Sequence, residues 1–544
     1  MRARLALAVI VVAGIAPFSG RAVHLDEHLY LQAARAAQTN WLFPQQTPIV
    51  FFGTASPDLA AHTHPPVIEY YLAALFWLFG GFSEVPFRLA FSVFAIAAVV
   101  AFFDLAQRFT QQPFLVALLF AWSPAFFVYA PTLMMDIPML AFLLAGFAFY
   151  FRHLDGRRRM LVPAAVSFTL AVGTGYTALV PLACLTLTVL LDPLRSLPPK
   201  AAGGPAKELL ALAAGPLILG LWLIAMTVHF GEFPLARMID YFLPRRSILH
   251  NALATLSFLG GTAAFPWILG WTLRWKPALC IASLGAAAAA SFLLPWPSGP
   301  QQLWYIVLSS AGLAVLVHGI ANCELRIANL WGRSSDQFAI RNSQFAIPFL
   351  FLWLLTTLLF FVVIGDLIAV RYLTLVLPPL YLILLREASR RRMIHAAIPT
   401  AVLAILIASA DLAFVNSHRD GVARVVAAAE RRGSRMWGAT ELGPRFYLER
   451  LGVPTLTSQD DRPQPGDLVI RPKWLPDGLF RYSLGERLEN NVTVLETFTL
   501  GHDFPLQTFN TRAGAGFHSS RTGMTPFAFS RSAFDVLEVT QLRP

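Results

Sequence analysis

The feature that most limits what this chain can fold into is the recurrence, along its first 415 residues, of apolar runs about 16 to 24 residues long. In a bilayer such runs are stable as helices, because a helix satisfies its own backbone hydrogen bonds. They give about thirteen candidate spans, the first at 4–19 and the last at 393–414. Hydrophobic residues make up 56% of the 544 and charged residues only 13%, so the chain reads as an all-α polytopic membrane protein. The net charge of +11 does not point to nucleic acid, since Arg and Lys gather in short loops between the runs, as membrane topology requires. Cys184, Cys280 and Cys323 lie in or beside apolar runs without paired spacing, which excludes a disulfide framework and a zinc ribbon.

The first run, RLALAVIVVAGIAPFSG, has a basic start but no small-x-small cleavage site, so it is expected to be a span with its N-terminus cytoplasmic. The stretch VIEYYLAALFWLFGG at 67–81 decides the parity of every later span. Counted as a span, it puts the loops RHLDGRRR (152–159) and REASRRR (386–392) outside. Left in the interface it puts both inside, which satisfies the positive-inside rule and suits a short segment opening with Glu69, Tyr70 and Tyr71. With that choice the loop 20–85, the helix start at Asp136, the loop 231–251, Asp366, Arg371 and everything after residue 415 share the extracytoplasmic side. The domains expected are a transmembrane unit over 1–415 and a small soluble α/β unit over 416–544, where spans stop and short alternating runs such as GDLVIRP appear.

Directly after the first span comes HLDEHLYLQAARAA, His24 to Ala37. On a helix Asp26 and Tyr30 share a face at i and i+4, while Glu27 points about 100° away. Asp26, with His24 and Tyr30 at the lipid–water border, is the better placed base, and Glu27 is left to hold a neighbouring loop or a cation. Acids just outside a span are ordinarily solvated and idle, but two features single this end out. HTHPPVIEYY, His62 to Tyr71, sets a rigid Pro-Pro pair before the amphipathic segment. LMMDIPMLAF puts Asp136 at the outer end of a span, where a charge is costly unless used; the competing reading is an acid favoured by the helix dipole beside Pro138. His62 and His64 with Glu69 nearby, and His229 and His250 around the later loop, give no complete ligand set at a recognised spacing. No obligatory metal is expected, a divalent ion being the alternative.

A DE pair after the first span, an HPP stretch before an amphipathic segment, an acid-x-Pro at Asp136 and R-Y-L-x-x-x-x-P-P from Arg371 to Pro379 occur in that order. In this the chain resembles the GT-C glycosyltransferases of the protein O-mannosyltransferase and aminoarabinose lipid A transferase type. The resemblance covers residues 1 to about 415, and the tail is similar to the periplasmic tail of bacterial members. It implies a bacterial inner-membrane enzyme that moves a sugar from a polyprenyl-phosphate donor to a hydroxyl or phosphate group of a lipid, protein or polysaccharide acceptor at the periplasmic face, with inversion. In such enzymes the Asp of the DE pair, here Asp26, draws the proton from the acceptor hydroxyl. An aspartate of ordinary pKa, about 4, is a weak base, so positioning and electrostatics must do most of the acceleration. The leaving group is already a phosphate, so cations rather than a strong acid are needed. Arg371 is the favoured phosphate ligand, followed by Arg245, Arg246 and Arg88, because a planar guanidinium matches phosphate oxygens; a contact with membrane lipid headgroups is the alternative role of each. Asp136 would orient the acceptor or a catalytic side chain, and Tyr30, His62, His64 and Tyr372 would line the pocket. Some members bind a divalent ion near this site and others need none. In GTGYTALVPL the chain departs from the pattern, with Tyr176 where many members carry a Lys; the exchange removes a cation and adds an aromatic platform.

Two other classes compete. A secondary transporter would show internal inverted repeats and charges near mid-membrane, and neither stands out. A non-catalytic membrane anchor for the tail leaves the DE, HPP and Arg371 motifs idle.

Overall fold

The computed structural model describes residues 1–51, 53–60, 64–191, 204–234, 239, 247–296, 298–330, 337–457, 462–473 and 491–543. Its opening helices are α1 (Arg2–Ile15), α2 (Glu27–Ala37), α3 (Val67–Phe79), α4 (Glu84–Phe109), α5 (Pro113–Ala121), α6 (Pro124–Phe127) and α7 (Asp136–Leu154). Six helices among the described residues are long and apolar enough to cross a membrane: Glu84–Phe109, Asp136–Leu154, Ala206–Phe230, Gly299–Ala321, Ala346–Ile364 and Arg390–Glu430. The chain is thus a multi-pass membrane protein. Several other expected spans are present as shorter or interrupted helices, and proline is the common cause. The 113–130 run breaks at Ser123, before Pro124. The 252–275 run breaks around Pro266, with Trp267 at φ 65°. The 369–386 run is a 3-10 turn, Val370–Leu375, followed by the helix Leu377–Leu384 with proline in its first turn. Glycine permits close packing at one crossing: a Cβ on Gly260 would run into the Leu308 carbonyl, and one on Gly312 into that of Leu256.

Ion pairs define one end of the bundle. Arg4, near the start of α1, lies 2.7 Å from Asp104, near the end of α4; Arg152, near the end of α7, is 2.6 Å from the same carboxylate. Arg108 pairs with Asp155 there too. Since α1 leaves this arginine-rich end and α4 returns to it, the chain between them begins and ends at the far end. The 13-residue α3, packed along α2, therefore adds no crossing. The far end gathers the loop after α1, the start of α7, the 365–371 segment and the tail.

A buried pair holds that far end together. Glu27 Oε1 accepts from Arg88 Nη1 at 2.9 Å and from the Leu133 amide at 2.8 Å; its Oε2 accepts from Arg88 Nη2 at 2.8 Å and from the His24 amide at 3.0 Å. Arg88 directs its remaining donors to the carbonyls of Arg21, Ala22 and Pro131. One ion pair thus ties the first loop, α4 and the turn before α7.

The helix Arg390–Glu430 is 41 residues long, roughly 60 Å at 1.5 Å per residue, about twice a hydrocarbon core. Its second half stands beyond the bundle and packs on a four-stranded sheet ordered Met436–Gly438, Leu468–Pro472, Asp535–Leu542, Val492–Leu500. The first two strands are parallel and the other pairings antiparallel. Residues 506–529 stay outside this sheet, forming two small ladders, and return to the helices. Trp304 Nε1 donates to the Phe527 carbonyl at 3.0 Å, and the Val370 amide to that of Phe517 at 3.0 Å.

This architecture is open to two tests. Single cysteines at positions 70 and 156 are expected to label from opposite faces of the membrane; labelling of both from one face would place α3 across the bilayer. Arg88→Ala leaves a buried carboxylate unpaired and lowers stability by roughly 3–5 kcal/mol, measured by thermal unfolding in detergent, whereas Arg371→Ala shifts it far less.

Candidate active site

Asp26 stands at the N-cap of α2 yet makes no side-chain capping bond, so its carboxylate is not used by the helix. The residue before it, Leu25, has φ 52°, a left-handed backbone conformation that a leucine adopts only under constraint. The constraint is visible on both sides, with the Glu27–Arg88 pair following and the Val23 amide donating to the Tyr447 hydroxyl at 2.7 Å before. The chain is thereby forced to send its two adjacent carboxylates to different places. Asp26 Oδ2 meets Arg371 Nη1 at 3.2 Å, and both side chains keep part of their surface open, 34% and 19%.

The other groups of the site converge from five segments of the chain. Asp136, at the first turn of α7, is buried, and its Oδ2 has no hydrogen-bond partner among the described residues. It interacts electrostatically with Arg371 and with Asp26. Arg371 lies over the ring of Tyr372 at 5.4 Å, and that ring stacks on Phe361 at 4.7 Å. Tyr30, one helical turn beyond Asp26, faces the His64 ring at 6.2 Å, and His64 faces Tyr176 at 5.8 Å. These three rings make an aromatic wall. It forms because the Val67 amide donates to the Gly173 carbonyl at 3.2 Å, and a Cβ on Gly173 would come within 2.9 Å of Val67 Cγ2. A negative carboxylate, a guanidinium, a buried second acid and a stacking surface are thus held at one end of the bundle. Such a set can take a proton, bind an anion and lie against a sugar or prenyl face.

The structure brings together Asp26, Asp136, Tyr30, His64, Tyr176, Arg371 and Tyr372 from the sequence candidates. It corrects two others. Arg88 is wholly buried with every nitrogen engaged, so it cannot serve as a phosphate ligand. Glu27 is fully committed to Arg88 and two backbone amides, which fits the role of holding a loop and a cation and not that of a catalytic group. Burial alone would raise its carboxyl, but the Arg88 guanidinium outweighs this and holds it below its ordinary value. His24 also turns away from Asp26, packing edge-on to Phe414 at 5.1 Å and near His518 at 5.3 Å. His62, Arg245 and Arg246 lie outside the described residues. His229 stacks on Phe43 at 3.8 Å and His250 lies 3.2 Å from the Ser520 carbonyl, so these two do not converge. Among the described residues no group of three or more His, Cys, Asp or Glu is arranged to hold a metal ion.

Sequence reasoning missed Tyr129, Asp411 and His518, which lie behind the site. Asp411 had a signal, a carboxylate inside an apolar span. It also underused Glu69. Burial in α3 pushes that carboxyl up to about 8, so at neutral pH it is chiefly the neutral acid. A carboxyl raised from 4.5 to about 8 stabilises the fold fully below pH 4.5 and loses that contribution as pH rises to about 8. Glu69→Gln is expected to flatten this part of the stability–pH curve in thermal unfolding; a mutant curve parallel to wild type over that window contradicts it.

Three comparisons bear on these groups. No match was found among curated proteins. Among solved structures, ArnT from Cupriavidus metallidurans in the apo state is 16% identical with a TM-score of 0.43, over 86% of this chain and 91% of that one. The same protein bound to undecaprenyl phosphate is 16% identical with a TM-score of 0.44, over 98% and 97%. The archaeal oligosaccharyltransferase AglB from Archaeoglobus fulgidus, in complex with an inhibitory peptide and a dolichol-phosphate, is 14% identical with a TM-score of 0.38, over 74% and 55%. Residues 63–203, which carry His64, Glu69, Asp136 and Tyr176, match the family model described as dolichyl-phosphate-mannose-protein mannosyltransferase.

Proposed function

We propose that this chain is an inverting glycosyltransferase of the GT-C type, moving a sugar from a polyprenyl-phosphate carrier to an acceptor on the periplasmic side of a bacterial inner membrane. The observation that carries this reading is the contact between Asp26 and Arg371, a base and a phosphate ligand from distant parts of the chain, facing Asp136 and an aromatic wall. The family match over 63–203 supports it, since that segment supplies most of the wall and Asp136. The arginine-rich end faces the cytoplasm by the positive-inside rule, which puts the site opposite.

In the proposed reaction the acceptor, a hydroxyl on a lipid, protein or polysaccharide, gives its proton to the Asp26 carboxylate. Its oxygen forms a bond to the anomeric carbon from the face opposite the phosphate. The bond from that carbon to the phosphate oxygen breaks, and the electron pair leaves with polyprenyl phosphate. Arg371 turns from Asp26 to the phosphate oxygens and stabilises the charge that develops there. That exchange also frees Asp26 to act as base. Asp136 orients the acceptor, and the Tyr30, His64 and Tyr176 rings take the sugar or the first prenyl unit. Because the leaving group is a phosphate met by a guanidinium, the proposed chemistry assigns no step to a resident metal ion.

Native mass spectrometry with undecaprenyl phosphate tests the reading. Wild type is expected to retain the lipid, and Arg371→Ala to weaken its binding by roughly 1.5–3 kcal/mol. Asp26→Asn is expected to keep the lipid but lose sugar transfer. A wild-type protein that holds other phospholipids but no polyprenyl phosphate overturns the proposal, and an Asp26→Asn variant with full turnover removes Asp26 from the mechanism.

A further inference from the structure

Behind Arg371 runs a buried line of polar groups that the reaction above does not use. His518, from the tail, is fully enclosed. Its Nε2 lies 2.7 Å from Asp411 Oδ1 and its Nδ1 2.8 Å from the Tyr129 hydroxyl. Asp411 is held in turn by Arg21 Nη1 at 3.0 Å and by the Thr508 hydroxyl at 3.1 Å. An aspartate beside one imidazole nitrogen calls for the N–H on that nitrogen, so in the neutral ring Nδ1 is the acceptor. The phenol proton of Tyr129 is then committed to Nδ1, and its oxygen presents only lone pairs on its other side. Tyr129 follows α6, which packs on the Val370–Leu375 turn.

A second, independent observation places the same tail segment against that turn. The Val370 amide donates to the Phe517 carbonyl at 3.0 Å, the Ser520 amide to the Ile368 carbonyl at 2.7 Å, and the Ile368 amide to Ser520 Oγ at 3.0 Å. Arg521 Nη2 adds a bond to the Asp366 carbonyl at 3.2 Å. Residues 517–521 are therefore laced to the strand of backbone that ends at Arg371, and His518 sits in the middle of the lacing.

We infer that His518 and Asp411 are positioning residues of the active site: together with Tyr129 they fix the place of the 517–520 segment, whose pairing with 368–370 sets the turn that presents Arg371. The inference rests on the reading of Arg371 as the donor-phosphate ligand. It makes the tail a part of the site, so that lipid-phosphate binding depends on a segment far along the chain from Arg371 itself. The chemistry required of residue 518 is specific, one donor toward Asp411 and one acceptor toward Tyr129. Glutamine supplies both and phenylalanine neither.

The experiment pairs undecaprenyl phosphate binding, by native mass spectrometry, with amide hydrogen exchange of the ligand-free protein, in wild type, His518→Gln, His518→Phe and Tyr129→Phe. His518→Phe and Tyr129→Phe are expected to bind the lipid about tenfold more weakly, and His518→Gln to stay within about threefold of wild type. Amides 368–371 are expected to exchange faster in His518→Phe while those of 468–472 do not change. Wild-type binding and exchange in His518→Phe overturn the inference, as does a His518→Gln variant no better than His518→Phe, which would mean a packing role only. If His518→Phe does not fold, Tyr129→Phe, which removes one oxygen, decides on binding: wild-type affinity in it is a refutation. Should wild type itself bind no polyprenyl phosphate, the functional reading fails, and the exchange at 368–371 still decides whether His518 sets the turn.

Discussion

A carboxylate and a guanidinium taken out of water need each other and need their remaining hydrogen-bonding groups filled, and the Glu27–Arg88 pair meets both demands. Its four carboxylate contacts and three carbonyl contacts bring the chain just after α1, the start of α4 and the turn before α7 to one point. With Glu27 drawn inward and Leu25 held in a left-handed turn, Asp26 has to face the other way, toward Arg371. Two chemically equivalent neighbours are made into a structural anchor and an open carboxylate by one buried contact.

The remaining charges of the apolar region divide along the same line. Asp104 with Arg4 and Arg152, Asp411 with Arg21, and Asp366 with Arg521 are ion pairs joining separate segments. Of these only Asp411 with Arg21 is closed to solvent; Asp26 with Arg371, like the pairs at Asp104 and Asp366, keeps solvent contact on both partners, and an exposed pair of this kind is worth little to stability. A weak, accessible pair is suited to exchange one partner for a ligand. Asp136 beside it, with an oxygen unmatched among the described residues, is another group at this end with capacity to spare.

The tail takes part at both levels. Its 441–447 segment closes over the first loop, with Arg445 2.7 Å from His28 and the Tyr447 hydroxyl on the Val23 amide. Its 517–521 segment closes over the backbone leading to Arg371. A sheet carried on a helix that outruns the bundle is a rigid way to return those two segments to the same end.

By itself the sequence determined the helical membrane architecture, because lipid leaves apolar runs few alternatives, and it determined which loops share a side, because charge distribution follows topology. It also placed Asp26, Tyr30, Asp136, Tyr176 and Arg371 at one end, since all five follow from counting crossings. It ranked Asp26 above Glu27 as the base and Arg371 above Arg88 as the phosphate ligand, but it could not show that Glu27 and Arg88 are each other's partners. Helical spacing says which way a side chain leaves its own helix, whereas burial and the partners it meets depend on other elements. Both arginines stand near the outer end of a span, and only the fold buries Arg88 against Glu27 and leaves Arg371 partly exposed beside Asp26. His518 was beyond reach for the same reason, as its meaning comes from Asp411 and Tyr129, each more than a hundred residues away. Local pattern fixes elements and their sides, and long-range packing alone decides which charge is neutralised and which is left to react.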